Sequence, residues 1–153
     1  MKDIYEDEWA IMKSFHVATG HRLSKHKGLC KNIHGHNLKV EVYVAANKLN
    51  EGDMVIDFSH LKEAVKIVLE SFDHCLLLNS EDFETVRFAV EQNMKHIEVP
   101  GSDPTAETIS KFLFEEIGFA LTKYPNIRIK KIGIWESPTS YCEYKRKLIR
   151  HAN

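Results

Sequence analysis

The sequence predicts an α+β fold, about four antiparallel strands with two main helices on one face, and three patterns carry that expectation. Leu38, Val40, Val42 and Val44 alternate with Lys39, Glu41 and Tyr43, the period of a half-buried strand. Leu61, Ala64, Val65, Val68, Leu69 and Phe72 recur at helical spacing, as do Ala106, Ile109, Leu113, Ile117, Ala120 and Leu121. After a Tyr124-Pro125-Asn126 turn, Ile127 and Ile129 alternate with Arg128 and Lys130 in a late strand, and a last strand returns.

Taken in order, the first strand runs from about Trp9 to Ala18, with the stretch as a whole ending at His21. The second covers about Leu38 to Ala45, Asn47 to Asp53 is a turn, and Met54 to Phe58 is a short extended segment. A helix follows, with Ser59 or Asp57 as its N-cap, and ends near Asp73. The second long helix is expected to be capped by Asp103, with Pro104 in the first helical position. Strands from Ile127 to Glu136 and from Tyr141 to Ile149 close the chain. Between Ser80 and Pro100, Phe83, Val86, Val90 and Met94 suggest an additional helix and His96 to Val99 a short strand.

With 153 residues the chain suits one domain spanning residues 1–153. A formal net charge of −1 provides no basic field for nucleic acid and favours a small-molecule partner. The N-terminal MKDIYEDEW is acidic, with neither an apolar leader nor a span long enough for a membrane, so the expected location is the cytoplasm. Cys30, Cys75 and Cys142 are odd in number, widely spaced and free of a CxxC pattern, which fits a reducing compartment.

Chemistry concentrates between His21 and His36. His34 and His36 stand two apart, so on an extended strand their imidazoles leave the same face. A hairpin from the preceding strand brings His21 beside them. Three neutral imidazoles without a fourth protein ligand form the open Zn²⁺ arrangement, which leaves a position for water or substrate. Cys30, four residues before His34, suits a base or nucleophile next to a cation and equally suits a fourth ligand that would close the site.

In order, the motifs H-R-L, G-x-C-x3-H-G-H, M-V-I-D-F-S-x-L-K, F-D-H-C-L-L-L-N, P-T-A-E and W-E-S-P-T-S-Y resemble the 6-pyruvoyltetrahydropterin synthase family. The resemblance runs from about Phe15 to Tyr144 and is nearest to the bacterial 6-carboxytetrahydropterin synthases of queuosine and deazapurine biosynthesis. It implies the tunnelling fold, or T-fold: a ββααββ-like subunit whose sheets close into an oligomeric β-barrel, trimers stacking into a hexamer. It departs from the family pattern before the first ligand, where this chain reads F-H-V-A-T-G-H. His21 keeps the ligand position, because His16 lies five residues earlier with opposite strand parity.

The resemblance also distributes roles. His21, His34 and His36 become the zinc ligands, and Cys30, Asp73 and His74 the catalytic set. Glu136 anchors a pterin through two acceptor oxygens facing its amino and ring N–H groups. Thr105 and Glu107 line the same pocket. Each role has a plainer counterpart: Asp73-His74 fits a helix C-terminus that favours a cation, Glu136 an exposed strand end, and Thr105 with Glu107 a local helix cap. Lys25, His26 and Lys27 suit either a triphosphate or a solvated loop.

The implied activity is a zinc-dependent carbon–carbon lyase. It converts 7,8-dihydroneopterin triphosphate to 6-carboxytetrahydropterin, acetaldehyde and triphosphate. The alternatives are 6-pyruvoyltetrahydropterin synthase, which eliminates triphosphate without cleaving the side chain, and a non-catalytic zinc or pterin-binding module. A third relative, releasing 6-hydroxymethyldihydropterin, typically carries glutamate where this chain has Cys30.

Overall fold

The computed structural model describes residues 6–147. The chain begins with a hairpin of two 13-residue strands, β1 (Trp9–His21) and β2 (His34–Ala46), and continues through helix α1 (Phe58–Phe72). Strand β3 (Cys75–Asn79), helix α2 (Phe83–Glu91) and strand β4 (His96–Val99) follow. Helix α3 (Ala106–Ala120) and the hairpin of β5 (Arg128–Ser137) and β6 (Ser140–Tyr144) complete the fold.

The strands form one sheet in the order β4-β3-β1-β2-β5-β6. Its β1-β2-β5-β6 part is the expected antiparallel four-stranded unit. The sheet is larger than expected, because β3 pairs parallel to β1 and β4 parallel to β3. The missed strand is the Cys75-Leu76-Leu77-Leu78 run. All five residues of β3 are buried, so it lacks the alternation that marks a strand with one wet face.

Parity determines what each face meets. Leu38, Val40, Val42 and Val44 of β2 join Val17, Ile132 and Ile134 in the main core, under α1 and α3. The intervening residues of β2 face away from the helices, where Glu41 accepts from Tyr43 and from the Trp135 indole and pairs with Lys39 at 2.9 Å. β3 is covered on both sides: Cys75 and Leu77 enter the main core, while Leu76 and Leu78 meet Val86 and Ala89 of α2. The additional helix therefore covers the sheet face opposite to α1 and α3.

Two helix boundaries bear on the site. Asp57 caps α1, accepting the Ser59 N–H at 2.7 Å. At the other end Asp73 is already extended, and His74 at φ 55° takes the left-handed position that commonly follows a helix. The His74 N–H donates to the Ala18 carbonyl, so the chain enters β3 with no intervening loop. For α3 the expected cap is corrected. Thr105 is the N-cap, accepting the Thr108 N–H, and Pro104 precedes the helix, because the Asp103 carboxylate is engaged by Ser24, Lys25 and Asn79. The last strand ends at Tyr144; its expected continuation to Ile149 lies partly outside the described residues.

Candidate metal centre and adjoining cavity

The β1–β2 register sets His21 directly opposite His34 and Thr19 opposite His36. All three histidines share the face of Val17 and Leu38, and so extend the core row past the ground the helices cover. Their ligating nitrogens lie within 4.8 Å of one another, the one group of three or more such donors among the described residues. The rings are steeply inclined, His36 standing at 84° to His21 and 80° to His34.

Backbone carbonyls set the tautomers. His21 Nδ1–H donates to the Pro104 carbonyl at 2.7 Å, and His34 Nδ1–H donates to the Asn32 carbonyl at 2.7 Å. A carbonyl can only accept, so in the neutral rings both Nε2 lone pairs are free, and they face each other at 3.0 Å. Two lone pairs at that distance repel unless a proton or a cation lies between them. Burial pushes the His21 pKa down, and the neighbouring His34 and His36 reinforce this against the Pro104 hydrogen bond. His21 is therefore held neutral, His21 and His34 turn their lone pairs inward, and the nitrogen donors of the three rings fit a divalent cation such as Zn²⁺.

Cys30 sits on a single turn of 3-10 helix, Leu29–Lys31, within the loop joining β1 to β2. It is half-buried, its thiol is free, and its carbonyl accepts the Leu23 N–H at 3.0 Å. It does not belong to the three-histidine donor group.

Glu136, Thr105 and Glu107, from β5 and the start of α3, line one cavity of about 440 Å³ with Leu23, Tyr141 and Cys142. Glu136 and His36 also border a cavity of about 650 Å³ that reaches His16, Lys39 and Trp135. His16 pairs with Lys39 across the hairpin on the helix-free face, as its parity requires.

Asp73 and His74 lie elsewhere. His74 Nδ1–H donates to Asp73 Oδ2 at 2.9 Å, while Asp73 Oδ1 accepts the Ala18 N–H at 3.1 Å. The His74 hydrogen bond, and then that of Ala18, hold the Asp73 carboxyl below its ordinary pKa. The His74 side chain is 82% exposed, and neither residue lines the cavity of Glu136. The basic loop is partly committed to the fold: Lys25 Nζ donates to the Gly101 carbonyl, and His26 Nδ1 accepts the Gly28 N–H. The carbonyls of Pro104 and Asn32 escaped the sequence reading, since a backbone acceptor has no residue signature.

The family model described as 6-pyruvoyl tetrahydropterin synthase matches residues 10–147. The chain belongs to this family. A Haemophilus influenzae protein named 6-carboxy-5,6,7,8-tetrahydropterin synthase is 35% identical over 142 residues, covering 88% of this chain and 97% of that one. An Aquifex aeolicus protein of the same name is 31% identical over 162 residues, covering 92% and 99%. Among solved structures, the uncharacterized protein WS1659 from Wolinella succinogenes has a TM-score of 0.75 at 21% identity, with 92% of this chain and 99% of that one covered. The 6-pyruvoyl tetrahydropterin synthase of Caenorhabditis elegans has a TM-score of 0.67 at 21% identity, covering 95% and 100%. The fold of this family is thus the fold of this chain. Among the described residues no helix is long and apolar enough to cross a membrane.

Proposed function

We propose that this pterin synthase family member is a zinc-dependent 6-carboxy-5,6,7,8-tetrahydropterin synthase. It would convert 7,8-dihydroneopterin triphosphate to 6-carboxytetrahydropterin, acetaldehyde and triphosphate in queuosine or 7-deazapurine biosynthesis. The observation that carries the reading is the conjunction of two features: a histidine trio in which His21 and His34 turn their Nε2 lone pairs inward, and the Glu136 carboxylate, which borders one cavity with His36 and another with Thr105 and Glu107. The names of the relatives at 31–35% identity point the same way.

In this reading His21, His34 and His36 hold Zn²⁺, which when bound supplies a Lewis acid that acidifies the C–H bonds of the substrate side chain. Glu136 accepts from the amino and ring N–H donors of the pterin and so sets the ring's orientation. Thr105 and Glu107 bound the same pocket. Cys30 takes a proton on one side of the substrate. His74, its tautomer fixed by Asp73, moves protons on the other side through Nε2. Because Asp73 and His74 face solvent away from the Glu136 cavity, a neighbouring copy must bring them to it. That requirement agrees with the trimers and hexamer expected from the resemblance, and with the place of β6 at the sheet's edge among the described residues.

Mass spectrometry of the products formed from 7,8-dihydroneopterin triphosphate tests the reading. Acetaldehyde and 6-carboxytetrahydropterin are expected; a 6-pyruvoyl product with the side chain intact would overturn it in favour of triphosphate elimination alone.

A further inference from the structure

We propose that Asp103 is a positioning residue that couples the metal ligand His21 to the loop carrying Cys30. This rests on reading the histidine trio as a metal centre and Cys30 as its catalytic neighbour. Three parts of the chain meet at this one carboxylate. Its Oδ1 accepts the Ser24 hydroxyl at 2.6 Å and the Asn79 side-chain amide at 3.1 Å, and its Oδ2 accepts the Lys25 backbone N–H at 2.8 Å. Asn79 is the last residue of β3 and is only 1% exposed, so the carboxylate is moored to the sheet and not merely to another loop.

From there the arrangement runs in two directions. The Asp103 carbonyl accepts the Thr108 hydroxyl at 2.6 Å and the Thr105 N–H at 2.8 Å, which fixes the turn into α3. The next carbonyl along, that of Pro104, is the acceptor for His21 Nδ1–H. Proline's locked φ leaves little freedom between the two residues, so a shift at Asp103 is passed to the carbonyl that orients the ligand. On the loop side, Ser24 and Lys25 adjoin Leu23, whose N–H closes the loop on the Cys30 carbonyl at 3.0 Å.

The residue type fits the task. All three groups reaching the carboxylate are donors, and an ionised carboxylate is a pure acceptor that forms the stronger, charge-assisted bonds. The position belongs to the D-P-T-A-E stretch, whose leading residue has no part in the proposed chemistry.

The test compares Asp103→Ala, Asp103→Asn and Ser24→Ala with the wild type, with folding checked by circular dichroism. Zn²⁺ affinity is measured by chelator competition, and the alkylation rate of Cys30 by iodoacetamide in zinc-free protein, with Cys30→Ala as the blank for the other two thiols. Asp103→Ala should bind Zn²⁺ roughly 10- to 100-fold more weakly, the usual effect of losing an outer hydrogen-bond partner, and its Cys30 should react several-fold faster. Asp103→Asn keeps the Oδ1 acceptor but turns an N–H toward that of Lys25, so it should fall between. Ser24→Ala should speed alkylation with a smaller effect on affinity. Wild-type affinity and alkylation in folded Asp103→Ala would overturn the proposal. If that variant does not fold, a wild-type alkylation rate in Ser24→Ala overturns it instead. A wild-type protein that binds no Zn²⁺ refutes the functional reading, whereas alkylation of the zinc-free protein still decides the coupling of Asp103 to the loop.

Discussion

His21 and His34 occupy the final cross-strand pair of the β1–β2 hairpin, with their Nε2 atoms 3.0 Å apart and each Nδ1–H held by a backbone carbonyl. The pairing register brings the rings together, and the carbonyls decide which nitrogen looks inward.

Removal of any of these rings should therefore empty the centre. His21→Ala, His34→Ala or His36→Ala is expected to lower bound zinc far below one per chain and to abolish turnover, since three ligands leave no redundancy. Metal analysis of the purified variants checks this, and full zinc in the His21 variant would reassign the first ligand.

Cys30 and Glu136 should separate base from anchor. Cys30→Ala is expected to keep its zinc and to bind a pterin analogue, while turnover falls by roughly two to four orders of magnitude. Glu136→Ala should weaken pterin binding with zinc unchanged. Zinc loss in the Cys30 variant would make the thiol a ligand in solution.

Acid stability offers a test away from the histidine centre. Lys131, Lys145 and Tyr141 donate to Glu143 and pull its pKa from 4.5 to about 2. A carboxyl depressed in the folded state contributes stability above its unfolded pKa and loses that contribution as pH falls through the folded one. Wild type should thus exceed Glu143→Gln by a constant margin above about pH 5, no more than about 1 kcal/mol for so exposed a cluster, and the gap should close between pH 4.5 and about 2. Denaturant melts across that range measure it; a margin that persists at the acid end would disprove the assignment.

Assembly is expected to follow from the separation of Asp73 and His74 from the Glu136 cavity. Light scattering should report a hexamer, near six times the chain mass. A stable monomer at micromolar concentration that retained turnover would remove the need for a shared site.

The sequence by itself determined the features that depend on local periodicity. Alternation along β2 fixed which residues face the helices, and the same period of two placed His34 and His36 on one side and His16 on the other. The apolar spacing of α1 and α3 was equally visible, and of the two candidate caps, Ser59 and Asp57, the structure uses Asp57. The hint of α2 found a helix but not its packed face, since Phe83, Val90 and Met94 are exposed while Val86 and Ala89 meet β3. Tertiary structure alone decided the rest. β3 is buried on both faces and shows no alternation, so its parallel pairing with β1 becomes visible only once α2 covers its far side. Asp103 looked like a helix cap because the local pattern D-P-T favours one, yet Ser24 and Asn79, 79 and 24 residues away in sequence, claim its oxygens first. The inward lone pairs of His21 and His34 were also hidden. They depend on carbonyls that every residue possesses, and only the folded chain determines which of them an imidazole meets.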